Sequence, residues 1–508
     1  MNALKSPLKI IALLLVNGLS VQLAAQCNCE NSYPAPQGGE AIVYITPAQG
    51  VSGIQTAINN ATSPTTIFLM NGTYNVSGGQ INITKPNITL RSFSGKRDSV
   101  IIYGGGMLTG TGYHGISILN TNAKVIDLTI KNIDTHPIDI NFWYQPGDID
   151  NLVLHNLHIA DGGEQLIKMS YSGNLNQNSH NGIIECCLIE YTTSLPGSAY
   201  YTNGIDLHYA ENWLIQDNTI RNIQAGPGTT NDAGPAILFF KGGKNMIVER
   251  NLIIDCDEGI FLGNWADPAG FASTDSGIVR NNFIRGHANS RCGIGIVRSP
   301  NARILNNTIF SPGGTVWTAQ KYSIEVTGPE DTNLVIQNNL MDETILNNQG
   351  TAPPFSDITN IDSASASNVI QASGINPDLH LTSTSVAIDA GTPHSLRNSD
   401  FDCGTVAGNA DVGADEIPVT TGVLPGMIDG KKLNLFPNPA TEFVTIYGFE
   451  SDNVKINVTD LFGKTVLSAF EKVKDQKISF DIKTLPGGSY FVEIFDGTTT
   501  RKKTLLVQ

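Results

Sequence analysis

Between Ser117 and Met341 the chain repeats one pattern of apolar and polar positions: aliphatic, two variable residues, Asn, one variable residue, aliphatic. The pattern returns about every 25 to 33 residues. Aligning the copies VIDLTI, LHNLHI, IECCLI, IQDNTI, VERNLI, VRNNFI, ILNNTI and IQNNLM puts Leu128, Leu157, Cys187, Asn218, Asn251, Asn282, Asn307 and Asn339 in one column. An Asn in an apolar interior costs free energy unless its amide is hydrogen-bonded. Identical amides one strand spacing apart can bond one another and nearby backbone. The column therefore predicts parallel rungs stacked about 4.8 Å apart.

A second strand precedes each of these in ISILN, IDINF, IKMSY, IDLHY, ILFFK, IFLGN, IGIVR and IEVTG. Alternation turns every second residue outward. One outward column reads Ser117, Asp139, Lys168, Asp206, Leu238, Phe261, Gly295 and Glu325, and the next includes Asn141, His208, Phe240 and Val297. Upstream, GIQTAINNA has the helical spacing of Ile54, Ala57 and Ile58, and a helix there covers the apolar end of the first rung. Residues 375 to 417 leave the rung pattern, and the alternating stretches from Lys431 to Gln508 read as a small antiparallel sandwich.

The fold class is thus all-β, a parallel β-helix followed by a β-sandwich. The ladder resembles that of the right-handed, pectin-lyase-like superfamily over roughly residues 40 to 345. INPDLHL through DVGADE resembles a tail of secreted bacterial β-helix proteins with the pattern SxAIDAG, DFDG, DIGAxE; Cys403 stands here in place of the Gly after DFD. LFPNPA, VTDLFGKTV, LPGGSYFVEI and the basic run Arg501, Lys502, Lys503 resemble the type A C-terminal sorting domain of the type IX secretion system. That resemblance implies the secretion machinery as a partner, export across the outer membrane of a Bacteroidota-type bacterium to the cell surface or medium, and usually removal of the domain on the way.

The expected organisation is a signal peptide over 1–25, a β-helix over 26–417, a linker over 418–430 and a sorting domain over 431–508. Within the β-helix, a cap occupies about 40–105, rungs about 106–345 and a closing tail about 346–417. The signal peptide rests on Lys5 and Lys9, the apolar run from Ile10 to Val16, and Ala24 and Ala25. No later segment approaches the roughly 20 apolar residues of a membrane helix. Only 15% of the residues are charged and 51 are Gly, which suits short strands and tight turns and is unlike a helical protein. The net charge of −15 comes with no basic stripe, which argues against nucleic acid, so an acidic polymer would need a local basic cluster. Seven cysteines leave at least one outside intramolecular pairing. The expected state is a monomer.

Chemistry concentrates where Asp139, Lys168, Asp206 and His208 project from one face. Flanking segments add His136, Glu164, Tyr200, Tyr201, Tyr209 and Lys241. The stretches from Tyr171 to Asn181, Thr192 to Asn203 and Gln224 to Gly234 are long enough to wall a groove. Uronate β-elimination needs neutralisation of the carboxylate, a base for the C5 proton and an acid for the leaving oxygen. Lys168 or Lys241 is a candidate base or charge neutraliser; His208 and Tyr201 are candidate base and acid. Asp139, Asp206 and Glu164 are candidates to hold calcium, as are Asp400, Asp402, Asp411 and Asp415 in the tail, where turn formation is the competing explanation. His136, Glu164, Tyr200, Tyr209 and Lys241 are candidate substrate contacts. DTHP also resembles the Asp-Pro-His-Asp element of mannuronan epimerases, with Thr135 replacing Pro and Pro137 replacing Asp.

Three functions fit this set. The first is a lyase acting on an acidic, uronate-containing polysaccharide. The second is an inverting glycoside hydrolase using Asp139 and Asp206, two rungs or about 10 Å apart, near the upper end of the usual separation. The third is a non-catalytic glycan-binding or adhesion solenoid.

Overall fold

A computed structural model describes Cys29 and residues 33–62, 64–142, 147–170, 177–311, 322–348, 355–374, 377–397, 399–406 and 409–417. In the C-terminal unit it describes 434–436, 440, 443–447, 453–459, 464–473, 477–495 and 500–507. The expected signal peptide and linker lie outside these residues. The chain divides into one compact unit ending at Val419 and another beginning at Thr420.

The first unit is a right-handed β-helix built from one 12-stranded and two 10-stranded parallel sheets. A representative turn runs from strand Ile205–His208 through Leu214–Gln216 to Thr219–Arg221, one strand in each sheet. The interior is aliphatic: Ile205, Leu207, Ile215 and Ile220 are wholly buried. Helix Gly50–Asn60 turns Ile54 and Ile58 into the open end, as its spacing requires.

The sharp corner after the 12-stranded sheet explains the sequence period. Its first residue adopts left-handed backbone in successive turns, at Asp127, Asn156, Cys186, Asp217, Arg250, Asn281, Asn306 and Asn338, with φ between 50° and 59°. Asn and Asp tolerate that conformation best among non-glycine residues. The next residue points inward and forms the ladder. Asn218 donates its backbone N–H and Nδ2 to Asn251 Oδ1 at 3.1 and 3.0 Å, while Nδ2 also reaches Ile184 O at 2.9 Å. The motif repeats at Asn251, Asn282, Asn307 and Asn339 and continues one rung further than the sequence pattern indicates, to Asn360, whose Oδ1 accepts both donors of Asn339 at 2.8 Å.

A second ladder, not anticipated, lies on the surface just before the 12-stranded sheet. Asn87, Asn122, Asn151 and Asn181 are all left-handed. Each amide donates to the preceding one, Asn122 to Asn87 and Asn151 to Asn122 at 2.8 Å and Asn181 to Asn151 at 3.3 Å. The same bond recurs further along, from Asn333 to Asn301 at 2.8 Å.

The tail does not simply close the end. It lies along the corner of the last rungs: Thr392 N–H donates to Asn338 Oδ1 (3.0 Å), Asn306 Nδ2 to Asp411 O (3.2 Å) and Asn281 Nδ2 to Ser399 O (2.8 Å). Phe401 stacks on Phe283 with ring centroids 3.9 Å apart. Its aspartates are occupied by the tail itself: Asp411 accepts from the N–H groups of Asp389 and Ile417, Asp400 from Gly404 and Asp415 from Leu381, and Asp402 pairs with His380. Asp400, Asp411 and Asp415 thus accept from backbone N–H groups of the tail. Cys29 is bonded to Cys186, and Cys403 is also in a disulfide. Cys187, Cys256 and Cys292 are free and buried.

The second unit pairs a three-stranded with a four-stranded antiparallel sheet. Val444, Ile446 and Phe480 of one share a core with Ile456, Val492 and Leu505 of the other.

Replacing Asn282 by Ala removes the acceptor of two buried donors of Asn251 and two donors of its own. The expected cost is about 2–4 kcal/mol, read as a lowered unfolding midpoint. Asn333→Ala, in the exposed ladder, should cost no more than about 0.5 kcal/mol. Equal losses would show that the buried ladder has no special weight.

Candidate active site

The outward columns assemble on one 10-stranded sheet as the alternation requires. Asp139 on strand Ile138–Asn141 is in register with Lys168 on Ile167–Ser170, which is in register with Asp206 on Ile205–His208 and then Leu238 on Ile237–Phe240. Ile138, Ile140, Ile167 and Met169 fill the interior on either side, so the charged side chains have only the outer face. Expected to line an open groove, they are instead covered: Asp139, Lys168 and Asp206 are 1%, 6% and 3% exposed. Their charges are consequently paired.

Lys168 Nζ donates to Asp206 Oδ2 at 2.5 Å and to His208 Nε2 at 2.9 Å. The second bond requires an unprotonated Nε2, consistent with burial, which pushes the His208 pKa below its ordinary value. Burial alone would raise the pKa of Asp206, but the adjoining Lys168 charge and His208 hold it below the usual carboxylate range. The Phe240 ring closes the far side, edge-on to His208 with centroids 4.2 Å apart.

On the other side stand two His–carboxylate pairs. His136 Nδ1 donates to Gln165 O at 3.0 Å, leaving Nε2 to face Glu164 Oε2 at 3.3 Å. Burial and the neighbouring His114 push the His136 pKa down to about 3, while burial raises that of Glu164. His136 is therefore neutral near pH 7 and turns Nε2 toward a carboxyl group whose hold on a proton burial has strengthened. His114 stacks on His136 with centroids 5.1 Å apart and places Nε2 3.6 Å from Asp139 Oδ2. Asp139 also accepts from Asn141 Nδ2 at 3.0 Å, and burial raises its pKa.

His114 was not among the residues expected from the sequence. It was findable, because it stands two residues before the first aliphatic of strand Ile116–Ile118, as His136 does before Ile138. The remaining candidates are scattered. Tyr200 and Tyr201 are 47% and 62% exposed on the segment entering strand Ile205–His208. Tyr209 is buried with its ring against Gly242 and is not presented as a platform. Lys241 pairs with Asp267 at 2.9 Å, with Nζ 5.4 Å from the Phe240 ring centroid. Asp139, Asp206 and Glu164 do not converge on a common point. Among the described residues, ligand atoms converge in two other groups, Asp148, Asp150 and His180, and His380, Asp402 and Asp415. Part of the expected groove wall, residues 171–176, lies outside the described residues.

The family described as the right-handed β-helix region matches residues 97–269 and 178–341, and that of the secretion system C-terminal sorting domain matches residues 434–508. The chain is a right-handed parallel β-helix carrying a secretion-system sorting domain. Among solved structures, pectate lyase Pel9A is similar at 12% identity, over 77% of this chain and 100% of that one, with a TM-score of 0.51. An alginate lyase from Paenibacillus sp. strain FPU-7 aligns at 18% identity over 63% of this chain and 97% of that one, with a TM-score of 0.42. At these identities the likeness is one of fold. No curated protein matches the β-helix protein. Its sorting domain indicates export by the type IX secretion system, and no described helix is long and apolar enough to cross a membrane.

Because His136 titrates lower in the fold than its ordinary 6.5, the unfolded chain takes up that proton first as pH falls. The contribution of His136 is complete above about pH 6.5 and declines toward pH 3. Its imidazole NMR resonances should not shift between pH 8 and 5, and a midpoint near 6.5 would contradict the burial of His136 beside His114.

Proposed function

We propose that this β-helix protein is a secreted enzyme that cleaves a uronate-containing polysaccharide by β-elimination on the sheet face that bears Lys168. The observation that carries the reading is the Lys168 ammonium held between Asp206 and a neutral His208, beside Glu164, whose pKa burial raises and which faces the neutral His136. These supply the three requirements of the reaction within one cluster. Lys168 is paired with Asp206, which suits it to neutralise the substrate carboxylate and acidify C5 more than to act as base. A carboxylate that draws the ammonium forward frees His208 Nε2 to accept the C5 proton. The C5–H electrons form the C4–C5 double bond, the C4–O bond breaks, and Glu164 protonates the leaving oxygen. Tyr201, exposed on the flank, is the alternative acid. In this scheme the Lys168 charge does the work expected of calcium at Asp139, Asp206 and Glu164.

Inverting hydrolysis by Asp139 and Asp206 has less support, because Lys168 stands on the rung between them and holds Asp206. The test is near-ultraviolet absorbance of the full chain incubated with alginate, pectate, glycosaminoglycan and ulvan-type polymers, with calcium or with chelator. The expected result is an unsaturated product from one polymer, lost by at least about 10²-fold in Lys168→Ala. New reducing ends without that absorbance would replace elimination by hydrolysis; binding without turnover would leave a glycan-binding solenoid.

A further inference from the structure

Beyond His208 the same sheet face becomes apolar and then offers one large ring to solvent. Phe240 has Lys168 Nζ 6.0 Å and Lys241 Nζ 5.4 Å from its centroid. Lys241 is tied to Asp267, through the backbone N–H at 3.1 Å and through Nζ at 2.9 Å. Asp267 belongs to the turn that carries Trp265. That turn is fixed: Ala266 N–H donates to Asn264 Oδ1 at 2.8 Å, Asn264 N–H to Ser273 Oγ at 2.9 Å, and Ser273 Oγ to Asp267 Oδ2 at 2.5 Å. Trp265 is nonetheless 52% exposed, whereas Trp213 in the core is 1% exposed. The Arg298 guanidinium lies 5.0 Å over the Trp265 ring, bonded to Asp267 O and 3.6 Å from Glu330.

An indole held rigidly in water, with a cation on one face, is built to receive a partner. The partner that fits is a pyranose, whose axial C–H bonds meet the electron-rich ring face. The flanking cations suit the carboxylate of a uronate. The strand that leads to Trp265 is three rungs from that of Lys168, through Asp206, Leu238 and Phe261, or about 14 Å along the face.

We infer that Trp265 is a sugar-stacking platform at the distal end of the glycan track that begins at Lys168, with Lys241 and Arg298 as its carboxylate partners. This rests on the polysaccharide reading of the site but not on the elimination step. The test is tryptophan fluorescence of the full chain titrated with polyuronate oligosaccharides and with a neutral glucan. Quenching should occur with the polyuronate. Trp265→Ala should weaken binding and raise KM about tenfold with a smaller effect on kcat, and Trp265→Phe should restore most of the affinity. Unchanged binding and KM in Trp265→Ala would overturn the platform while leaving the proposed elimination intact. Trp265-dependent binding without unsaturated product would do the reverse. Equal affinity for the neutral glucan would remove Lys241 and Arg298 from the assignment.

Discussion

Everything in the β-helix depends on register between neighbouring turns. A parallel strand pair places like positions one above another, so any residue type chosen at one turn is judged against the residue above and below. For aliphatic residues that condition is easily met. For a buried amide it is severe, because an unbonded donor in the core costs more than a bonded one contributes. Asn251 through Asn360 meet it by giving each Oδ1 two donors from the turn before, and Asn218 through Asn339 by giving each Nδ2 an acceptor in both directions. The left-handed residue preceding each of them is what turns the amide inward. Toward the N-terminus Leu128 and Leu157 occupy the same column, which shows that the corner can also be filled by apolar packing.

The same register, acting on the outer face, creates the candidate site. Asp139, Lys168 and Asp206 cannot avoid one another, since each is the register partner of the next. Covering them raises the electrostatic stakes: removing one member of a buried pair leaves the other uncompensated, at about 3–5 kcal/mol. The arrangement pairs Lys168 with Asp206 and keeps the imidazoles of His136 and His208 neutral, so a paired ammonium stands beside unprotonated bases. Such a combination is rare on an ordinary surface, where water and counter-ions screen neighbouring charges.

What was legible in the sequence was what depends on period. The rungs, the ladder, the helix over the first turn and the register of Asp139, Lys168 and Asp206 follow from alternation and repeat length. What was not legible depends on contacts between segments remote in sequence. Burial of the outward charges brings in side chains of other turns, such as His114 beside Asp139 and Phe240 against His208. The path of the tail depends on left-handed Asn281, Asn306 and Asn338, which present polar groups to it from the flank. The surface ladder at Asn87 to Asn181 was overlooked for another reason: exposed asparagines next to strands look like ordinary turn residues until their common φ is known. Tyr209 shows the limit of counting aromatic residues, because one residue past the strand the backbone turns left-handed and the ring is buried against Gly242.

To receive an acidic polymer as proposed, a chain of net charge −15 needs positive charge that its own field does not cancel. Along the proposed track Lys168, Lys241 and Arg298 each already face a carboxylate, Asp206, Asp267 and Glu330 respectively. The track is therefore close to neutral overall, and long-range attraction cannot be what draws the polymer in. Recognition has to come at short range, from stacking and from hydrogen bonds in which a substrate carboxylate shares an ammonium or guanidinium with its resident acid. That arrangement discriminates by geometry more than by charge. It also keeps the cations from attracting other polyanions, which a bare basic groove on an exported protein would do.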